Sequence, residues 1–198
     1  ALPLLELKAE VDGIHLYDAK LNTKGMIDLC VLKGNLAELS LKSHSTDIKN
    51  GLAVINEALL RDADLTVILA DSVPEDTTTI DWRVQLDDLQ LKRVKLNVLL
   101  TPNADSTWVA ADIGNLQTKA FLDLKEGAYK VDWLEMQESM VAYDRQKEPQ
   151  LPQQLDPNHL LFDDIHLRVD SLSAVGKDLS MRLSQFAAVE QSGLTIQE

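Results

Sequence analysis

The residues of this chain whose types could do chemistry are four histidines, one cysteine, three tryptophans and several acids standing side by side. His15, His44, His159 and His166 are far apart, and none has a partner at a metal-ligand spacing. His15 and His166 each sit at the centre of an Ile-His-Leu triplet, on the polar side of an alternating stretch, so solvent-facing imidazoles are expected. Asp87–Asp88 and Asp163–Asp164 could work as acid and base only across a cleft that splits their environments. Neighbours in a strand point to opposite faces, and these pairs read instead as turn and edge residues that discourage sheet aggregation. Cys30 alternates away from Ile27, Leu29 and Val31, and a lone thiol there is incidental rather than reactive. Trp82, Trp108 and Trp133 could stack on sugars or bases, but Trp82 and Trp133 lie in phase with apolar neighbours, which marks them as core. No nucleophile elbow, phosphate-cradling glycine loop or calcium-loop acidic ladder is present. The chain is therefore predicted to be non-catalytic, with no metal and no cofactor.

Composition narrows the partners. A net charge of −13 over 198 residues disfavours nucleic acid and anionic membrane surfaces, because lysine and arginine alternate with more numerous acids. Apolar residues at 45% exclude wholesale disorder. One cysteine allows no intramolecular disulfide, which leaves the compartment open. No apolar run is long enough to cross a bilayer. The sequence opens on Ala1 rather than Met and ends within a strand-like Leu194–Ile196, so it reads as an interior piece of a longer, repetitive protein.

The elements that must position these residues are strands. Leu5, Leu7, Ala9 and Val11 alternate with charged residues, as do Ile80, Trp82, Val84 and Leu86. Residues 120–124, 129–133, 165–169 and 179–183 repeat the pattern. The alternation also slips phase. Ile14-x-Leu16 is followed by two residues and then Ala19-x-Leu21; Leu89-x-Leu91 by two and then Val94-x-Leu96-x-Val98; Ile165-x-Leu167-x-Val169 by two and then Leu172-x-Ala174. A two-residue step keeps one face apolar only if the ribbon bulges or turns a corner. A corner is thus required near Lys92–Arg93, with Leu89, Leu91, Val94, Leu96 and Val98 on one face.

Ile48, Leu52, Ile55 and Leu59 break the pattern with helical spacing, and Thr46 or Asp47 could cap a helix over 48–61. Residues 71–79 and the Pro/Gln-rich stretch 146–159 read as loops. The expected fold is mainly β: a curved or twisted antiparallel sheet, β-solenoid-like, with one short helix. The alternative is a β-sandwich. Residues 1–145 would form a repetitive body, 146–159 a loop, and 160–198 a hairpin region continuing the sheet.

Strand units of this form resemble the TamB/AsmA-like family of large bacterial envelope proteins. The likeness is carried by residues 86–96 (LDDLQLKRVKL), 162–172 (FDDIHLRVDSL), 179–186 (LSMRLSQF) and 191–196 (QSGLTI), and covers most of the chain outside the helix and the long loop. The resemblance implies a periplasmic sheet curled like a taco around an apolar groove, anchored in the inner membrane by a segment outside this sequence. It also implies a part in phospholipid transport between membranes, in outer-membrane protein assembly, or in both. The partners would be phospholipid acyl chains or hydrophobic segments of client proteins, and an outer-membrane assembly partner. The groove lining would include Trp82, Val84, Leu86, Leu89, Leu91, Val94, Leu96, Val98, Val131 and Trp133. Two rival readings are an extracellular β-sandwich interaction or adhesin module and a lyase on a β-helix. The latter would want abundant glycine at its turns, and the chain has only 8.

Overall fold

The computed structural model describes residues 8–9, 13–22, 30–47, 50–69, 82–100, 107–124, 126–145, 148–151, 155–175, 178–192 and 194–196. Ten strands run in chain order: β1 (Lys8–Ala9), β2 (Ile14–Asn22), β3 (Cys30–Asp47), β4 (Leu52–Leu69), β5 (Arg83–Leu100), β6 (Thr107–Asp123), β7 (Ala128–Arg145), β8 (His159–Val175), β9 (Asp178–Glu190) and β10 (Thr195–Ile196). β1 and β2 meet β3 in a single register, so together they form one interrupted strand. The result is one open sheet with each strand beside the next in sequence, so the β-sandwich alternative is not realised among the described residues. Strands of 17 or 18 residues are about three times the usual length.

Two expectations are corrected. The sheet is mixed rather than antiparallel, because β4 and β5 run parallel from Leu52↔Arg83 to Ile68↔Leu99. Residues 70–81 between them, with the loop expected at 71–79, lie outside the described set, as do the ends of the strand expected over residues 5–11. The helix expected over 48–61 is absent: 52–69 is continuous strand. Gly51 at φ 58 ends a tight turn, and Asp47 Oδ1 accepts the amide of Asn50 at 3.1 Å. The carboxylate expected to cap a helix thus closes a hairpin instead, with the same bond. The helical spacing arose because both faces of β4 carry apolar residues. Leu52 opposes Arg83 on one face, while Ile55 opposes Leu86 on the other.

A crease crosses the sheet. Asp18, Asp62, Arg93, Glu138 and Asp164 sit inside strands with φ of 49, 49, 52, 50 and 48. The first four fall in register: Asp18 beside Ala37, Asp62 beside Arg93, and Gly114 between Arg93 and Glu138, each in a gap of the ladder, while Asp164 lies in the adjoining gap, opposite Met140. Left-handed backbone costs an L-residue roughly 1–2 kcal/mol. Without the corner at Arg93, Val94, Leu96 and Val98 would turn to the face opposite Leu89 and Leu91, at about 1.5–3 kcal/mol for each side chain left in water. Burial wins. Leu36, Ala63, Val94 and Ile113, on one side of the crease, pack with Leu39, Leu60, Leu91 and Leu116 on the other, so the sheet bends toward its apolar face.

Gly114 fits this line because of close approach: a Cβ there would stand 2.4 Å from the Glu138 carbonyl oxygen. A second set of irregularities lies nearer one end of the strands, at Asp87–Asp88 of β5 and Asp132 of β7.

The loop after β7 is drawn in by Asp156. Its Oδ2 accepts the Leu151 amide at 2.8 Å and its Oδ1 the Asn158 amide at 3.0 Å. β8 then pairs with β7 along its length, β9 with β8 and β10 with β9, so these strands continue the same sheet.

Candidate functional site

Directly opposed residues share a face, so the strand register sorts the side chains. One row across the inner face reads Leu16, Leu39, Leu60, Leu91, Leu116, Met136, Leu167 and Phe186. The row beyond the crease reads Ala19, Leu36, Ala63, Val94, Ile113, then Ser139 and Ile165. A third, on the near side, holds Ile14, Leu41, Ala58, Leu89, Thr118, Leu134, Val169 and Leu183. The row of Leu65, Leu96, Ala111, Val141 and Phe162 and that of Val67, Val98, Val109, Tyr143 and Leu160 extend the far side. Burial is deepest along the crease, where Val94 is 2% exposed, and falls away toward the sheet's edges, where Leu183 is 44% exposed.

Of the residues expected to line an apolar face, Val84, Leu86, Leu89, Leu91, Val94, Leu96, Val98 and Val131 lie on this one. Val84 and Leu86 oppose Leu122 and Ala120, and Ala120 opposes Val131. Trp82 precedes β5 and lies outside the strands, where its carbonyl accepts the Leu124 amide at 2.9 Å. Trp133 is on the other face. The extra residue Asp132 shifts the register, so Trp133 opposes Lys119 while its neighbours Val131 and Leu134 oppose Ala120 and Thr118. The alternation that placed Trp133 inward ran straight through a bulge that no local pattern announces.

The inner residues missed in the sequence come from the other strands: Leu36, Ala58, Ala63 and Ile113. A signal for several existed. Leu36-x-x-Leu39, Leu60-x-x-Ala63 and Ile113-x-x-Leu116 carry the same two-residue step as Leu91-x-x-Val94.

Two hydroxyls on this face bond to the backbone. Thr118 donates its hydroxyl to the Trp133 carbonyl at 2.7 Å, beside the bulge, and Ser139 donates to the Gln137 carbonyl at 2.8 Å. Glu190 is buried at the end of β9. The Ser192 hydroxyl, and then the Ser192 amide at 2.8 Å, donate to it and hold its carboxyl below the usual glutamate range.

The outer face is laced with ion pairs. Asp87 meets Lys119 at 3.3 Å, Arg168 meets Glu135 at 2.9 Å, and Asp62 takes a two-pronged bond from Arg93 at 2.5 and 2.8 Å. Exposed pairs of this kind contribute little to stability. Gln85, then Lys119, lowers the pKa of Asp87, and Arg93 lowers that of Asp62.

The acid pairs do not stand at turns or edges as expected. Asp87 and Asp88 form a bulge within β5, between β4 and β6, and Asp164 is the corner residue of β8. His15 and His44 are exposed, but His159 is not: Nδ1 lies 2.7 Å from Asp144 and Nε2 2.9 Å from the Glu148 carbonyl. It ties the loop to β7. Among the described residues no three metal-ligating side chains converge, and no helix is long and apolar enough to cross a membrane.

What this arrangement offers chemically is a broad apolar surface on the inner face of a bent sheet. No family model matches the chain, and no curated protein sequence matches it.

Proposed function

We propose that the chain is a non-catalytic segment of a periplasmic envelope protein. Its bent sheet serves as an apolar, taco-like groove for phospholipid acyl chains or for hydrophobic segments of client proteins. The observation that carries this reading is the row from Leu16 to Phe186, apolar without interruption from β2 to β9 on the inner face, with further largely apolar rows on either side of it. An apolar face of that extent is costly in water unless something covers it. Acyl chains suit it because they need no hydrogen bonds and follow a surface that is continuous in one direction. The likeness of the strand units to TamB/AsmA-like proteins supplies the compartment, an inner-membrane anchor outside this sequence, and a role between the two membranes with an outer-membrane assembly partner. The excess of acid over base supports a cargo other than nucleic acid.

The test is a photo-crosslinking residue placed in cells at Leu91 or Val131 on the inner face and at Gln90 on the outer. Phospholipid should be captured from the first two positions and not from the third. Equal labelling at all three, or none at any, refutes the groove. Leu91→Asp gives a second measurement. In a groove the carboxylate reaches water, so the protein stays folded and transport falls. In a sealed core it costs several kcal/mol and unfolds the domain.

A further inference from the structure

We propose that the outer face of the sheet carries a binding site for a neutral oligosaccharide, centred on Trp133 and the Glu135–Arg168 pair. The site lies on the face opposite the apolar rows and does not depend on what those rows hold. The bulge at Asp132 turns Trp133 out among charged neighbours, where it stands half-buried opposite Lys119. Lys119 is itself held by Asp87 at 3.3 Å. An indole on a polar face is an apolar plane with one polar handle, suited to a ligand that is apolar on one side and wet on the other.

The register builds the rest of the site. Gln117, Glu135, Arg168 and Gln185 are directly opposed on four adjacent strands, with Trp133 and Gln137 on either side of Glu135 along β7. Gln117, Trp133, Glu135 and Arg168 border a hollow of about 340 Å³, within the range of ligand sites. Across the Glu135–Arg168 pair, Gln137, His166 and Gln185 border a second hollow of about 140 Å³. At about 3.4 Å per residue the strip from Trp133 to Gln137 is about 14 Å long, which exceeds a single sugar ring. A pyranose lays its C–H face on an indole and sends hydroxyls outward, each both donor and acceptor. Arg168 meets Glu135 at 2.9 Å with both side chains about half exposed, which leaves the second carboxylate oxygen and further guanidinium N–H groups for those hydroxyls. Gln117 donates one N–H to Asp88 at 2.9 Å and keeps its carbonyl oxygen as an acceptor. The nearby charges cancel in pairs: Asp87 with Lys119, Lys130 with Asp132, Glu135 with Arg168, and Asp170 with Arg182. Among the described residues around the strip no cation is in surplus for a phosphate, sulfate or uronate, so the sugar is neutral and a nucleotide is excluded.

Calorimetric titration of the whole chain with maltotetraose, cellotetraose and chitotetraose tests the site. At least one of the three should bind, and tetragalacturonate should bind more weakly than that sugar. Trp133→Ala should weaken binding by at least about tenfold, and Trp133→Phe, which keeps an apolar ring, by less. Glu135→Gln changes an exposed side chain at nearly constant size, so circular dichroism should match wild type while affinity for the same sugar falls severalfold. Lys95→Ala, on the outer face beside Asp112 and outside the strip, should leave binding unchanged. Phospholipid capture from Leu91 should be the same in Trp133→Ala as in wild type, which separates this site from the inner face. No binding of any of the three sugars overturns the proposal, as does tighter binding of tetragalacturonate, or affinity that survives both Trp133→Ala and Glu135→Gln.

Discussion

Glu138 gives the most direct test of the crease. It lies within β7 at φ 50, exposed, beside Gly114 of the neighbouring strand. Holding a non-glycine residue there costs roughly 1–2 kcal/mol. Glycine accepts that backbone freely but loses about 0.5–1 kcal/mol more conformational entropy on folding. Glu138→Gly is therefore expected to stabilise the protein by about 0.5–1 kcal/mol, a rise of a few degrees at most in a chain of this size. Gln137→Gly, one residue earlier, paired with Asn115 and without positive φ, meets only the entropy term and should lose about 0.5–1 kcal/mol. The two substitutions remove similar exposed side chains and differ in sign only because of backbone conformation. Urea unfolding followed by far-ultraviolet circular dichroism resolves the difference, provided the slope against denaturant stays constant. If both variants are destabilised alike, residue 138 is not left-handed. β7 would then run straight, and the apolar rows would not share a face.

Three further outcomes are expected. Gly114→Ala should destabilise by roughly 1–3 kcal/mol in the same assay, because the new Cβ would stand 2.4 Å from the Glu138 carbonyl oxygen and neither strand can retreat. Leu36→Ala, at a side chain 3% exposed against the crease, should lose about 2–5 kcal/mol, and a loss under one would mean that the bend buries less than the register indicates. The amides of Leu151, and then of Asn158, hold the carboxyl of Asp156 below its ordinary value of 3.8. Its folded pKa is depressed, so its contribution is fully present above that value and is lost as pH falls through the folded pKa. Midpoints measured below pH 4 should therefore drop less steeply for Asp156→Asn than for wild type, and an identical slope would refute the role.

Much of the local architecture is written in the sequence, because the two-residue period of a strand is a property of neighbours along the chain. The alternation in 129–133 and 165–169 names strands, and the step from Leu91 to Val94 requires a corner that Arg93 supplies. The slip is legible because apolar side chains must share a face, and only a bulge or a corner in the strand lets residues three apart do so. The same logic misled at 48–61. There a turn at Gly51 and a strand apolar on both faces imitate helical spacing, and Asp47 serves a hairpin with the bond it would lend a helix. What only the tertiary structure decided is pairing between distant segments. That β5 lies parallel to β4, that Asp132 bulges and turns Trp133 away from Val131, and that His159 lies against Asp144 all depend on which strand lies alongside. The corners themselves line up across the sheet for the same reason. Each strand's sequence sets its own bend, but only hydrogen-bonded register brings Asp62, Arg93 and Glu138 into one crease.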